Sequence, residues 1–195
     1  MNIIEFFKKN KNVFSFIITF AFAIFNGIYG IFTGYIWSKF IFVYYVFLFL
    51  IRFLSEKIFK KIHKGPVYSS LLLLMLNLSL IAPITIMVLD KKSFSLGLIA
   101  AITIAAYTTY KITIAIINYK NKKIVYSPIE RQYYTINLID AILSVLTLQN
   151  TLILAVDNTV TDKMFTLVSI TSFFAVIIMI FLSVKDIIYC YKTMT

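Results

Sequence analysis

The chain has 195 residues, of which 61% are hydrophobic and only 14% are charged, and its formal net charge is +11. Because a soluble domain is nearer half apolar and about a quarter charged, this composition excludes an ordinary soluble fold. The positive charge would indicate nucleic acid in a soluble chain, but here it flanks apolar segments, so we predict anionic lipid headgroups and no nucleic acid as its partner.

Six apolar segments follow one another along the chain, each close to the roughly 20 residues that a helix needs to cross a lipid bilayer. They are residues 13–32, 36–54, 67–89, 94–118, 133–155 and 164–182. We therefore predict an all-α, polytopic membrane protein in which residues 1–195 form one domain, a bundle of six transmembrane helices.

Most of the 19 Lys and Arg residues lie in alternate gaps between these segments. They are concentrated before the first segment, in residues 52–64, in residues 120–131 and after residue 182. By the positive-inside rule these regions, and with them both chain termini, are cytoplasmic. The abundance of Lys, Ile, Phe, Tyr and Asn is typical of an AT-rich bacterial genome, so we predict a bacterial plasma-membrane protein.

The gap after the second segment reads FLSEKIFKKIHKGP and predicts an amphipathic extension of the second helix. Leu54, Ile58 and Ile62 recur along one side, and lysines occupy the remaining positions. We expect Gly65 and Pro66 to end this helix. We interpret the lysines as a headgroup-facing surface rather than as a specific lipid or partner site.

The third segment contains Pro83. A proline inside a helix cannot donate a hydrogen bond to the carbonyl four residues earlier, which here belongs to Ser79, and its ring crowds that turn. The sequence therefore predicts a kink in the third helix.

Two ionisable residues lie inside the apolar segments, Lys111 in the fourth and Asp140 in the fifth. Each is seven residues from the predicted end of its segment, so an antiparallel hairpin would bring both to one depth. An unpaired charge at a helix centre costs roughly 2.5–3.5 kcal/mol, which favours an ion pair. Three interpretations stay open: a static structural pair, an ion or proton pathway, and a Lys111 side chain that extends to the headgroups.

Polar residues also form a stripe along the fifth segment. Its members are spaced three or four residues apart and share one helix face: Asn137, Asp140, Ser144, Thr147 and Thr151. We expect the stripe to face other helices, as a hydrated path, a ligand groove or a set of interhelical hydrogen bonds. Gln149 and Asn150 would widen this polar zone, and Tyr107 and Tyr110 would bring hydroxyls to the depth of the proposed pair.

Sequence motifs for catalysis are lacking. The chain contains no H-E-x-x-H zinc motif, no G-x-S-x-G elbow and no G-x-x-x-x-G-K-[ST] nucleotide loop. We therefore predict that the protein is not an enzyme and has no catalytic residues, no metal site and no cofactor.

Three stretches carry a resemblance: YKITIAIINYKNKK, the Ser127 and Pro128 pair, and INLIDAILSVLTLQN. They resemble an uncharacterised family of short six-helix integral membrane proteins from low-GC Gram-positive bacteria. The resemblance extends from Val67 to the C-terminus, and its recognisable positions are Tyr110, Lys111, Asn118, Pro128, Asn137 and Gln149. It implies the six-helix topology and no particular activity.

Two classes of function stay open from the sequence. The leading hypothesis is a small ion or solute transporter, or a channel-like protein, with a polar path along the fifth helix. The alternative is a non-transporting membrane module, such as an accessory subunit, an immunity-type protector or a lipid-binding scaffold. Either class is compatible with a membrane-protein partner or a homo-oligomer.

Overall fold

The structure is a computed structural model and describes residues 11–62, 64–90, 98–120, 127–156 and 162–193. These residues are almost entirely helical, and they contain no β-strand. The helices are α1 (Lys11–Thr33), α2 (Ile36–Lys57), α3 (Gly65–Ser79), α4 (Ile81–Asp90), α5 (Leu98–Lys120), α6 (Pro128–Val156) and α7 (Asp162–Lys192), with a 3-10 turn at Phe59–Lys61.

Five helical stretches are long and apolar enough to cross a membrane: Ile36–Lys57, Gly65–Ile86, Ile99–Ile117, Pro128–Leu152 and Thr166–Lys192. A sixth, Ile17–Thr33 within α1, is apolar but shorter. Large apolar side chains are widely exposed on these helices, for example Ile99 and Phe174, as a lipid-facing surface requires. The prediction of an all-α, multi-pass membrane protein is confirmed.

The third predicted segment is divided between α3 and α4, and the break falls at Leu80. The Leu80 N–H bonds to the carbonyl of Asn77, and the Ile84 N–H bonds to Leu80. Pro83 explains the break, because it offers no N–H to the carbonyl of Ser79. The helix break accompanies Pro83, and the kink itself stays a prediction.

The connection between α2 and α3 differs from the predicted amphipathic extension. α2 stops at Lys57, and Phe59–Lys61 continue as a 3-10 turn. Gly65 begins α3 rather than ending the preceding helix, and Pro66 lies in the first turn of α3. A Cβ atom on Gly65 would collide with the carbonyl of Phe59, so only glycine fits at this close approach.

The chain divides into two compact units, Met1–Ile51 and Arg52–Thr195. In the first, α1 and the beginning of α2 form an antiparallel hairpin around Gly34, whose φ of 71° suits glycine. A Cβ on Gly30 would lie 2.9 Å from the backbone nitrogen of Lys39, which shows how closely the two helices approach. The rings of Phe22 and Tyr45 meet edge to face with centroids 5.3 Å apart.

In the second unit, α6 contacts α3, α5 and α7. The hydroxyl of Thr108 in α5 donates to the carbonyl of Ser144 in α6 at 3.0 Å. α7 packs against α3, α4 and α6. The amide of Asn77 in α3 donates to the hydroxyl of Ser183 in α7 at 2.8 Å. Polar side chains thus join helices inside an otherwise apolar bundle.

Candidate functional site

A buried charged cluster in the second unit joins three helices. The Nζ of Lys111 in α5 lies 2.6 Å from Oδ2 of Asp140 in α6. The Nη2 of Arg52, near the end of α2, lies 3.4 Å from the same oxygen. The side chains of Lys111 and Asp140 are 1% and 0% exposed, and that of Arg52 is 8% exposed. We call these three residues the charged centre.

The structure therefore brings together the two ionisable residues that the sequence placed at one depth. Lys111 points to Asp140 rather than extending to the headgroups, so that interpretation of Lys111 is wrong. The Lys111 Nζ also lies 5.2 Å from the ring centroid of Tyr107 and 5.9 Å from that of Tyr110. Both rings are close enough for a cation–π contribution to its position.

Hydrogen bonds complete the surroundings of Asp140. The hydroxyl of Tyr107 donates to Oδ1 at 2.9 Å. The Nη2 of Arg52 donates to Oδ1 of Asn137, also at 2.9 Å, one turn earlier on α6. Each carboxylate oxygen of Asp140 therefore has at least one donor, and two cations share the second oxygen. The carboxylate is held by donors from α2 and α5.

Arg52 is the member of the charged centre that the sequence did not identify. The charge pattern grouped it with the headgroup-facing residues after the second segment, but the structure buries it to 7% exposure. The available signal was helical spacing: Tyr45, Leu48, Arg52 and Ser55 are all buried at intervals of three or four residues. Arg52 continues the inward face of α2, so a basic residue near a helix end need not face the headgroups.

The polar stripe of α6 faces inward, as its spacing predicts. Ser144, Thr147 and Thr151 are buried. Their hydroxyls donate to backbone carbonyls of their own helix, at 2.8, 2.9 and 2.7 Å. Their hydroxyl hydrogens are therefore bonded within α6. Their hydroxyl oxygens can still accept a hydrogen bond from a solute or a water molecule.

The two amides next to the stripe behave differently. Gln149 donates to the hydroxyl of Thr171 in α7 at 2.7 Å and so joins α6 to α7. Asn150 is 2% exposed, yet neither its Oδ1 nor its Nδ2 has a hydrogen-bond partner. The hydroxyl of Ser172 in α7 is likewise buried and unpartnered. Buried polar groups without protein partners commonly mark places that water or a solute completes.

A second buried carboxylate, Asp186 in α7, was absent from the predicted site. It is 1% exposed and accepts hydrogen bonds from Ser70 at 2.8 Å and from Thr135 at 3.1 Å. The Nε of Arg131 lies 3.6 Å from its Oδ1. We call Asp186, Ser70, Thr135 and Arg131 the Asp186 cluster. It connects α7 to α3 and α6.

The Asp186 cluster was missed because the sixth predicted segment stops at residue 182, whereas α7 continues to Lys192. The buried face of α7 extends through Met179, Ser183, Asp186 and Cys190 at intervals of three or four residues. That periodicity was the available signal, because hydropathy alone ends the segment at the first charges.

Within the described ranges, no three His, Cys, Asp or Glu side chains are grouped so that they could hold a metal ion. Comparison with models of protein families, with curated proteins and with solved structures finds no match for this chain. The resemblance to a six-helix family therefore stays a prediction, and the site is interpreted from its own geometry.

Proposed function

We propose that this chain is a small carrier or channel-like protein of a bacterial plasma membrane, rather than an enzyme, and that it moves an ion or small solute. It crosses the bilayer six times with both termini in the cytoplasm. The observation that carries the proposal is the charged centre, in which Arg52, Lys111 and Asp140 meet inside a multi-pass membrane protein. Ionisable residues inside membrane bundles commonly mark ion or solute pathways.

The cost of burying charged side chains favours a role for the charged centre beyond stability. Lys111 and Asp140, near the middle of α5 and α6, would each cost about 2.5–3.5 kcal/mol on the insertion scale, and Arg52, near the end of α2, would cost less. Replacing a buried ion pair by packed apolar side chains is often neutral or stabilising. Packed apolar side chains would therefore stabilise the contact of α2, α5 and α6 at least as well as three buried charges. The charges, in contrast, can bind a charged solute.

The residues beside the charged centre support a route along α6. Ser144, Thr147 and Thr151 present hydroxyl oxygens inside the bundle, and Asn150 presents a buried amide with no protein partner. These groups follow one another for about three turns of the helix from Asp140. In the proposed orientation they connect the centre to the outer side of the membrane.

A second candidate, the non-transporting module, is favoured by a different observation. Both oxygens of Asp140 already have donors, and the three stripe hydroxyls are satisfied by carbonyls of α6. On this account the polar groups hold helices together, and the protein acts as an accessory subunit, an immunity-type protector or a lipid-binding scaffold, alone or as a homo-oligomer. Anionic headgroups would then contact Lys61 and the other exposed basic residues.

Flux measurements on purified protein in liposomes separate the two functions. Vesicles with the wild-type protein should carry protons, sodium, potassium or chloride faster than empty vesicles. Asp140→Asn should change that rate severalfold or more. Lys185→Gln is the matched control, since it removes a charge from an exposed residue. Size-exclusion profiles check that each variant is folded. Rates equal to those of empty vesicles for all four ions would reject transport of the common inorganic ions and favour the module.

The proposed topology has its own test. Reporter fusions at Gly65 and Lys123 should be active on the cytoplasmic side, and fusions at Lys92 and Asn158 on the opposite side. The charge pattern predicts this alternation. Two consecutive sites on the same side would contradict six passes.

A further inference from the structure

The charged centre has more positive than negative charge. Arg52 and Lys111 carry two formal positive charges, and Asp140 carries one negative charge. Two other described carboxylates lie on α2 and α7: Asp186 is bound to Ser70 and Thr135, and Glu56, one turn after Arg52, is exposed to its surroundings. The three buried residues of the centre therefore have a formal charge of +1 in a poorly screened interior, where an uncompensated charge is costly.

Arg52 also has a donor that the protein leaves unused. Its Nη2 serves both Asn137 and Asp140, but its Nε is buried and has no hydrogen-bond partner. A buried donor without an acceptor loses its hydrogen bonds to water and forms none in the protein, which costs free energy. The guanidinium fork is suited to hold an anion through neighbouring N–H groups.

The side chains that face Asp140 are donors. Tyr107 offers a hydroxyl and Lys111 an ammonium from α5, and Arg52 offers its guanidinium from α2. Asn137 presents its oxygen to Arg52, so the acceptors of the centre are already in use. The centre lacks an acceptor and a negative charge, and one small anion supplies both.

We propose that the charged centre binds one monovalent anion against the Nε side of Arg52. One negative charge neutralises the centre, whereas a divalent anion would reverse its sign. The inference that this anion is the transported solute rests on the proposed function; the binding itself does not. The carboxylate of Asp140 and the bound anion then both interact with Arg52 and Lys111.

This arrangement predicts that substitutions within the charged centre change the affinity for the anion in opposite directions. Removing the negative charge with Asp140→Asn should tighten anion binding tenfold or more, because two cations then attract the same ion. Removing a positive charge with Lys111→Met or Arg52→Gln should weaken binding tenfold or more. A centre that only holds helices together predicts no such reversal of sign.

Chloride is the probe, and gluconate is the bulky reference anion. The purified protein in detergent is heated in mixtures of potassium gluconate and potassium chloride at constant ionic strength. A bound ligand raises the unfolding temperature with its concentration. We expect a saturable rise with chloride, an affinity increase in Asp140→Asn, a decrease in Lys111→Met, and a wild-type response in Lys185→Gln. An absent chloride response, or an Asp140→Asn affinity no higher than wild type, would overturn the proposal.

Two additional measurements apply if Asp140→Asn does not fold. Arg52→Lys keeps the charge but removes the guanidinium Nε, so it should weaken the chloride response while the protein remains folded. Broadening of the chloride-35 resonance by wild-type protein, reversed by excess bromide, reports binding without heating. A full chloride response in Arg52→Lys, or no broadening, would contradict a site at Arg52.

The outcome separates this inference from the proposed function. Chloride binding without flux of any tested ion would leave the anion site intact and argue against transport. Cation flux in liposomes, with neither chloride binding nor chloride dependence, would overturn the anion site alone. Chloride flux that Asp140→Asn and Lys111→Met change in opposite directions at low chloride would support both.

Discussion

Lys111 and Asp140 lie on neighbouring helices with Nζ and Oδ2 2.6 Å apart, but they do not form an isolated pair. Arg52 reaches the same carboxylate oxygen from α2 at 3.4 Å. A carboxylate shared by two cations responds asymmetrically to substitution. Loss of Lys111 leaves Asp140 with Arg52, whereas loss of Asp140 removes the carboxylate that both buried cations share.

The first prediction concerns this asymmetry. Asp140→Leu should destabilise the protein by about 3–5 kcal/mol, because it leaves uncompensated buried charge. Lys111→Met should lower stability by only about 1–3 kcal/mol, since Asp140 keeps its contacts with Arg52 and Tyr107. Reversible unfolding in mixed micelles measures both values, and Lys185→Met serves as the exposed control. Equal losses for the two variants would show that Arg52 does not share the carboxylate.

The second prediction concerns rescue between the two substitutions. If Lys111 and Asp140 were an isolated pair, the double variant Lys111→Met with Asp140→Leu would recover most of the lost stability. Because Arg52 then has no carboxylate partner, we expect only partial recovery. Adding Arg52→Leu should restore stability further, because an apolar cluster has no unpaired charge. Full recovery in the double variant would contradict the three-residue centre, and the same unfolding assay reports it.

The third prediction concerns Asn150, whose side-chain amide is buried with neither atom hydrogen-bonded. Asn150→Leu removes the desolvation penalty at similar volume and should raise stability by about 1–3 kcal/mol if the site is dry. If water or a solute occupies the route along α6, the same variant should lower flux with little gain in stability. Gln149→Leu provides the contrast, because Gln149 donates to Thr171 and its loss should destabilise the protein. Unfolding and liposome flux are measured on the same preparations.

The fourth prediction concerns the Asp186 cluster. Asp186→Ala removes the acceptor of the buried Ser70 hydroxyl, while the Thr135 hydroxyl keeps the carbonyl of Arg131, so we expect a loss of about 1–3 kcal/mol. Arg131→Gln should have a smaller effect, about 0–1 kcal/mol, because its side chain is 28% exposed and screened. Neighbouring Lys185→Ala should change stability by less than about 0.5 kcal/mol. A loss for Arg131→Gln as large as that for Asp186→Ala would contradict this ranking.

Much of the fold follows from the sequence alone. Twenty apolar residues in a row have few structural solutions other than a membrane-crossing helix, so the positions of the helices could be read from hydropathy. Pro83 could be assigned a break because its missing N–H is a property of the residue itself. Lys111 and Asp140 are equally many residues from the ends of their predicted segments. Because both helices of a hairpin rise by the same distance per residue, the two residues were predicted to lie at the same level.

The chain itself thus determined which segments become helices and which residues lie at the same level on neighbouring helices. The tertiary structure decided which faces meet: that Arg52 joins the charged centre, that Asp186 faces inward beyond residue 182, and that the stripe hydroxyls use carbonyls of their own helix. Hydropathy and depth are properties of a single segment. The direction of a side chain around its helix axis depends on contacts with helices far away in sequence, and those contacts select the partners of each charge.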